Sequence, residues 1–224
     1  MDIVSYKQHI DTIIENIEKA RLHVSAHHIV KVVAVSKYSD TKAVQSLYEI
    51  GQRAFGENKV QDLKSKSESL DELPLEWHFI GNLQKNKINQ LLALDPFLLQ
   101  SLDTIALAQA LQKRLESSEQ NLDALLQINS AKEESKSGVM PEMAHDIYAQ
   151  IQESCPNINL KGVMSIGAHS ENKALIQKSF EMTHNIYESL PHASICSMGM
   201  SSDYELAIKS GANMVRLGSV MFCK

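Results

Sequence analysis

Lys31-Val32-Val33-Ala34-Val35-Ser36-Lys37 is a short, apolar, β-branched run that ends in a lysine and leads into Tyr38-Ser39-Asp40, a segment suited to capping a helix. A run of this length and composition reads as a buried strand, so Lys37 stands at its carboxyl end. Side chains alternate along a strand, which puts Val33, Val35 and Lys37 on one face. A lysine there has two readings. It carries its ammonium out to water, as strand-end lysines commonly do, or it leans into a water-poor pocket where the neutral amine can attack a carbonyl.

Upstream, Ile10, Ile13, Ile14, Ile17 and Val24 predict one amphipathic helix from about Ser5 to Ala26. His23 and His27 stand four apart on it, but no carboxylate or cysteine is spaced to complete a metal site, so they read as an exposed histidine face. Downstream, strands alternate with helices. Ala43, Val44, Leu47 and Ile50 form a helix stopped by Gly51, Arg53 to Asn58 a short strand with a polar tip, and Val60 and Leu63 begin the next helix. Further strands are expected at Leu75 to Ile80, Phe97 to Leu102, Ala124 to Asn129, Gly162 to Ile166, Ser194 to Met198 and Met214 to Gly218, with helical periodicity between them.

Eight strands separated by helices, with polar or glycine-containing tips at the strand ends, argue for parallel pairing with right-handed crossovers. Eight strands close a (β/α)₈ TIM barrel, and 224 residues lie near the lower end of that fold's usual ~250. An open doubly wound sheet is the alternative. No GxGxxG follows the first strand, which weakens its dinucleotide-binding version. With no internal repeat or linker, residues 1–224 are expected to form a single domain.

Composition narrows the function. A net charge of −5 gives no broad electrostatic case for nucleic acid or an anionic membrane, and no apolar stretch nears the roughly 18 residues of a membrane span. The amino terminus lacks the basic and apolar regions of a signal peptide, so a cytoplasmic location is expected. Cys155, Cys196 and Cys223 are odd in number and widely spaced, and read as reduced thiols.

In a barrel the active face is built from the loops after the strands, and phosphate is commonly held after strands seven and eight. Those loops are Ser197-Met198-Gly199-Met200-Ser201-Ser202-Asp203 and Val215-Arg216-Leu217-Gly218-Ser219. Ser202 and Glu205 match the S-x-x-E capping box, which predicts a helix starting at Ser202 with open backbone amides. Ser201, Gly218 and Ser219 add hydroxyl and backbone donors. A lysine on strand one beside a phosphate cradle at strands seven and eight suits a phosphorylated aldehyde bound as a Schiff base. Two other residues have plainer readings, Glu57 as a cap for the next helix and His78 as a hydrogen-bonded barrel residue.

The stretches Ala34-Val35-Ser36-Lys37, Phe55-Gly56-Glu57-Asn58-Lys59-Val60-Gln61, Trp77-His78-Phe79-Ile80-Gly81-Asn82-Leu83-Gln84-Lys85-Asn86-Lys87, Ser197-Met198-Gly199-Met200-Ser201-Ser202-Asp203 and Val215-Arg216-Leu217-Gly218 resemble the YggS/PROSC family of pyridoxal phosphate homeostasis proteins, in order and over nearly the whole chain. The resemblance implies a barrel like the amino-terminal domain of alanine racemase, with pyridoxal 5′-phosphate (PLP) linked to Lys37. Ser201, Gly218 and Ser219 would hold the phosphate, Arg216 would face the pyridine nitrogen, and Asn58 would lie close to the cofactor. Two places depart from the family pattern. The chain finishes Met221-Phe222-Cys223-Lys224 where relatives tend to carry Phe-Gly and a short tail, and Ser39-Asp40 replaces a frequent Lys-Pro, which leaves the reactivity of Cys223 as a question.

The expected role is storage, delivery or buffering of PLP with little or no turnover, with no metal and no catalytic residue assigned. An arginine stays protonated, which disfavours a protonated pyridine nitrogen and weakens PLP as an electron sink. The eighth strand also ends within six residues of Lys224, so no second domain is expected to bring a base. Apo PLP-dependent enzymes are the expected recipients, and a monomer or weak dimer the expected state. The alternatives are a dimeric PLP-dependent amino-acid racemase and, with less support, a phosphosugar aldolase using Lys37.

Overall fold

The computed structural model describes residues 3–133 and 136–222, with side chains from Tyr6 onward. Helix α1 (Ile3–Arg21) precedes eight strands that pair in parallel and in chain order, β8 closing against β1. The strands are β1 (Lys31–Val35), β2 (Ala54–Glu57), β3 (Glu76–Phe79), β4 (Leu98–Leu102), β5 (Leu122–Ile128), β6 (Ile158–Ser165), β7 (Ile195–Ser197) and β8 (Met214–Leu217). Between them run α2 (Thr41–Glu49), α3 (Val60–Ser69), α4 (Ile88–Leu92), α5 (Ile105–Ser118), α6 (Ala144–Ser154), α7 (Lys173–Ser189) and α8 (Tyr204–Lys209), and α9 (Ser219–Phe222) follows β8. The sheet is a closed (β/α)₈ barrel, and the open-sheet alternative is excluded.

Two apolar regions hold it together. The larger lies between strands and helices, where Ala34, Phe55, Phe79, Leu99, Leu126 and Val163 meet the inner faces of the helices. The smaller plugs the barrel axis with Val33, Ala54, Leu98, Leu125, Met164 and Met214. Alternation along β1 sends Ala34 outward and Val33 inward, and Lys37 follows in the turn just past the strand's carboxyl end. The register of closure sets Val33 beside Arg216, bringing the lysine-bearing and arginine-bearing strands together.

The helix before the barrel is shorter than its periodicity suggested. Ile10, Ile13, Ile17 and Ala20 are buried, whereas Ile14 and Val24 are exposed. Ile14 stands about 100° around the helix from Ile13, and Val24 lies beyond the last turn. Arg21 closes the helix by donating to the carbonyls of Ala26 and His28.

β6 begins four residues before its expected start at Gly162. That glycine sits inside the strand, at the register shift against β5, with φ +143° and no room for a side chain, since a Cβ would lie 2.0 Å from the Ile195 carbonyl oxygen. Among the described residues, no helix is long and apolar enough to cross a membrane.

Candidate functional site

Lys37 lies two residues past β1, in the turn that Asp40 ends by accepting a bond from the Ala43 amide as the cap of α2. It is exposed, and its Nζ stands 5.0 Å from the centroid of the Tyr38 ring. With Val35, Tyr38, Ser39, Ile80, Met200, Ser201, Ser202, Arg216, Gly218, Ser219 and Phe222 it lines a cavity of about 400 Å³ at the carboxyl ends of the strands. That is the end where the loops of a barrel build its site.

The opposite wall comes from the loops after β7 and β8. The Ser201 hydroxyl accepts the Gly218 amide at 3.1 Å, tying the two loops together. A Cβ built at Gly218 would make ordinary contact with Val35 of the neighbouring strand, 3.6 Å from its carbonyl oxygen. The Ser202–Glu205 capping box does not form. Asp203 occupies the cap position of α8 without a side-chain capping bond; its carboxylate instead accepts the Met200 amide at 2.6 Å, inside the turn that precedes the helix, and α8 begins at Tyr204. α9, too short to show periodicity, starts at Ser219 on the cavity wall.

Arg216 is buried at the floor. Nη1 donates to the Ser197 carbonyl at 2.9 Å and to the Ser197 hydroxyl at 2.6 Å, and Nη2 donates to the Ser165 carbonyl at 2.8 Å. Among the described residues no acceptor meets its Nε, which leaves that side of the fork for a ligand. Burial lowers its pKa to about 10, with Asp203 opposing the shift, so the guanidinium stays charged at neutral pH.

Five of the six residues expected at the site meet on this cavity: Lys37, Ser201, Arg216, Gly218 and Ser219. Asn58 does not reach its wall. It is half-buried after β2, where its carbonyl oxygen would sit 2.0 Å from a Cβ on Gly81. Sequence reasoning missed Tyr38, Ile80 and Phe222, apolar walls beside a strand end, a lysine and a short helix. Adjacency to Lys37 was the available signal for Tyr38. Cys223 lies outside the described residues.

Glu57 does not cap α3, whose cap position is Lys59. It is fully buried behind the Lys37 turn, where Oε1 accepts from Ser36 Oγ at 2.6 Å and from Lys66 Nζ at 2.5 Å. His78 is a hydrogen-bonded barrel residue, its Nδ1 3.0 Å from Gln100 Nε2.

Residues 8–224 match the family model described as alanine racemase, N-terminal domain. The chain is 57% identical over 220 residues to the pyridoxal phosphate homeostasis protein of Helicobacter pylori strain J99, covering 98% of this chain and 99% of that one. Among solved structures, PipY of Synechococcus elongatus PCC7942, with PLP bound, matches with a TM-score of 0.82 at 28% identity over 97% of this chain and 99% of its own. Alanine racemase of Clostridium difficile 630 shares the fold, with a TM-score of 0.72 at 13% identity over 96% of this chain and 55% of the racemase. With the barrel, the strand-one lysine and the two tied loops in place, the chain belongs to the pyridoxal phosphate homeostasis proteins, a family built on the fold of the alanine racemase amino-terminal domain.

Proposed function

We propose that this cavity binds pyridoxal 5′-phosphate and that the protein stores, delivers or buffers it inside the cell. The observation that carries the reading is that an amine and an anion cradle with complementary chemistry face each other across one cavity. Lys37 stands on one wall, and the Ser201 hydroxyl, the backbone at Gly218 and Ser219 stand on the other, with a charged arginine at the floor. The amine would hold the aldehyde carbon, forming a C=N bond with loss of one water. Hydroxyl and backbone donors would hold the phosphate, and the open side of Arg216 would meet the ring nitrogen.

When bound, PLP supplies an electrophilic carbon and, where its ring nitrogen is protonated, an electron sink. Arg216, charged at neutral pH, would donate a hydrogen bond to that nitrogen and thereby keep protons off it. The protein's part is then to orient and shelter the cofactor, with turnover on amino acids at or near background. PipY with PLP bound and relatives named for PLP homeostasis support this over the racemase alternative. Apo enzymes that need PLP are the proposed recipients.

Adding PLP to purified protein should produce the visible absorption of a lysine-linked cofactor. Borohydride reduction followed by peptide mapping should place the pyridoxyl group on Lys37, and recovery on Lys87 or Lys136 instead defeats the assignment. Robust racemisation or transamination that disappears in Lys37→Ala defeats the carrier reading.

A further inference from the structure

Below the cavity, four side chains from four strands form one unbroken line of hydrogen bonds: Arg216 on β8, Ser197 on β7, Gln100 on β4 and His78 on β3. Their donor chemistry fixes where each proton sits. A guanidinium only donates, so Ser197 Oγ, 2.6 Å from Arg216 Nη1, accepts. The hydroxyl proton then goes to Gln100 Oε1 at 2.7 Å, and the amide is set with its oxygen toward Ser197 and its nitrogen toward His78 and the Met214 sulfur, 3.4 Å away. Gln100 Nε2 therefore faces His78 Nδ1 at 3.0 Å, and Nδ1 carries no proton. The neutral ring keeps its proton on Nε2, which is buried without a hydrogen-bond partner among the described residues.

The groups packed around that ring pull in both directions, and burial with Lys31 prevails over Glu76. Nε2 is 3.8 Å from the carboxylate of Glu76 on its own strand, that carboxylate is paired with Lys31 from β1, and the Phe97 ring lies 5.3 Å away between centroids. Burial lowers the His78 pKa, outweighing the pull of Glu76.

An interior filled only for stability needs none of this, because apolar residues plug the same axis at Val33, Leu98, Leu125 and Met164. A polar line in which each link between its four side chains pairs a donor with an acceptor specifies one geometry instead. We propose that Ser197, Gln100 and His78 are positioning residues for Arg216: the Nδ1-unprotonated ring fixes the Gln100 amide, the amide fixes the Ser197 hydroxyl, and the hydroxyl turns the guanidinium's remaining N–H groups to the cavity. The consequence for the ligand rests on the reading of that cavity as a PLP site.

The test compares Gln100→Leu, Gln100→Glu and Ser197→Ala with the parent protein. Leucine keeps the volume and ends the line, so PLP should bind about five- to tenfold more weakly, with a shifted visible absorption maximum, as for one lost buried hydrogen bond. Glutamate still accepts the Ser197 proton but demands a proton on His78 Nδ1. PLP affinity should stay within about twofold of the parent, while ¹⁵N NMR of the imidazole shows Nδ1 protonated. A role in packing alone predicts the reverse ranking, with leucine tolerated and glutamate not, and that result overturns the proposal. So does a parent protein whose His78 is protonated on Nδ1. If Gln100→Glu does not fold, Ser197→Ala decides, since parent-like affinity and spectrum in it also overturn the proposal. The imidazole measurement needs no ligand, so a parent that fails to bind PLP refutes the reading of the cavity while the hydrogen-bond line is still judged.

Discussion

Lys66 Nζ donates to the carbonyl oxygen of Ser36 across 2.7 Å, so helix α3, outside the barrel, holds the peptide unit that leads into Lys37. The same ammonium pairs with the buried Glu57 carboxylate, whose second oxygen has no hydrogen-bond partner among the described residues. Truncating one partner of such a pair strands the other charge away from water. Lys66→Met should therefore cost about 3–5 kcal/mol of stability. The double variant with Glu57→Gln should recover a substantial part, because it removes the stranded charge. Urea unfolding of the two single variants and the double closes the cycle. An unchanged midpoint in Lys66→Met would mean that the Lys37 turn does not depend on α3.

The amino-terminal helix reaches the far end of the chain through two bonds. The Tyr6 hydroxyl donates to the Met221 carbonyl at 2.8 Å, and His9 Nε2 lies 2.6 Å from the Val220 carbonyl. Both acceptors belong to α9, whose first residue, Ser219, lines the cavity. Tyr6→Phe deletes one donor with little change in shape, at about 1 kcal/mol. If α1 steadies the phosphate wall, PLP should dissociate several-fold faster from this variant, as stopped-flow transfer to an acceptor enzyme would read. A release rate equal to the parent's would confine the bond to stability.

Acid should loosen the amino-terminal end of the barrel first. The His78 ring, 3.8 Å away, and the Lys31 ammonium hold the Glu76 carboxyl at about 2 against the opposing effect of burial. A carboxyl depressed from 4.5 stabilises the fold fully above that value, and the contribution fades as pH falls toward about 2. His78, neutral in the fold and depressed by burial, acts in the same direction, since its contribution is complete above 6.5 and fades as pH drops through its folded value. Glu76→Gln should cost about 1 kcal/mol near neutrality, allowing for solvent screening of a side chain one-third exposed, and much less near pH 3. Urea midpoints at the two pH values check the sign. A loss that is the same at both would remove Glu76 from the acid response.

The sequence made the barrel legible because each strand is a short apolar run beside an amphipathic helix, and only β6 starts more than two residues from its expected place. Asn157 just before β6 and Asn159, its second residue, hid it, since a polar opening reads as loop. The cavity was legible where chemistry clusters in sequence, at Lys37 and in the loops after β7 and β8. The line from Arg216 to His78 was not. Gln100 and Ser197 are single polar residues inside apolar strands, and only closure of the sheet brings positions 78, 100, 197 and 216 into one file. The capping box misled because it scores residue types at a spacing, whereas the turn over residues 201–203 carries the chain one residue past Ser202 before α8 begins.

Gly81, just after β3, is pressed against the backbone of Asn58, the one expected site residue that stands off the cavity wall. A Cβ there would sit 2.0 Å from the Asn58 carbonyl oxygen and 2.6 Å from its carbon, and both are backbone atoms that cannot rotate aside. Gly81→Ala must push the β2 and β3 tips apart. The Ser101 hydroxyl donates to the Gly81 carbonyl, so that movement also strains a bond to β4. Overpacking of this kind typically costs about 1–3 kcal/mol. The melting temperature should fall accordingly, and Asn58→Ala alone, which removes only a half-buried side chain, should lower it far less. PLP affinity then separates the two residues' roles. If Asn58 acts on the cofactor through its side chain, Asn58→Ala weakens binding while the fold holds; if its backbone is what matters, Gly81→Ala is the variant that loses the ligand. Parent-like affinity in both would remove the β2 tip from the site altogether.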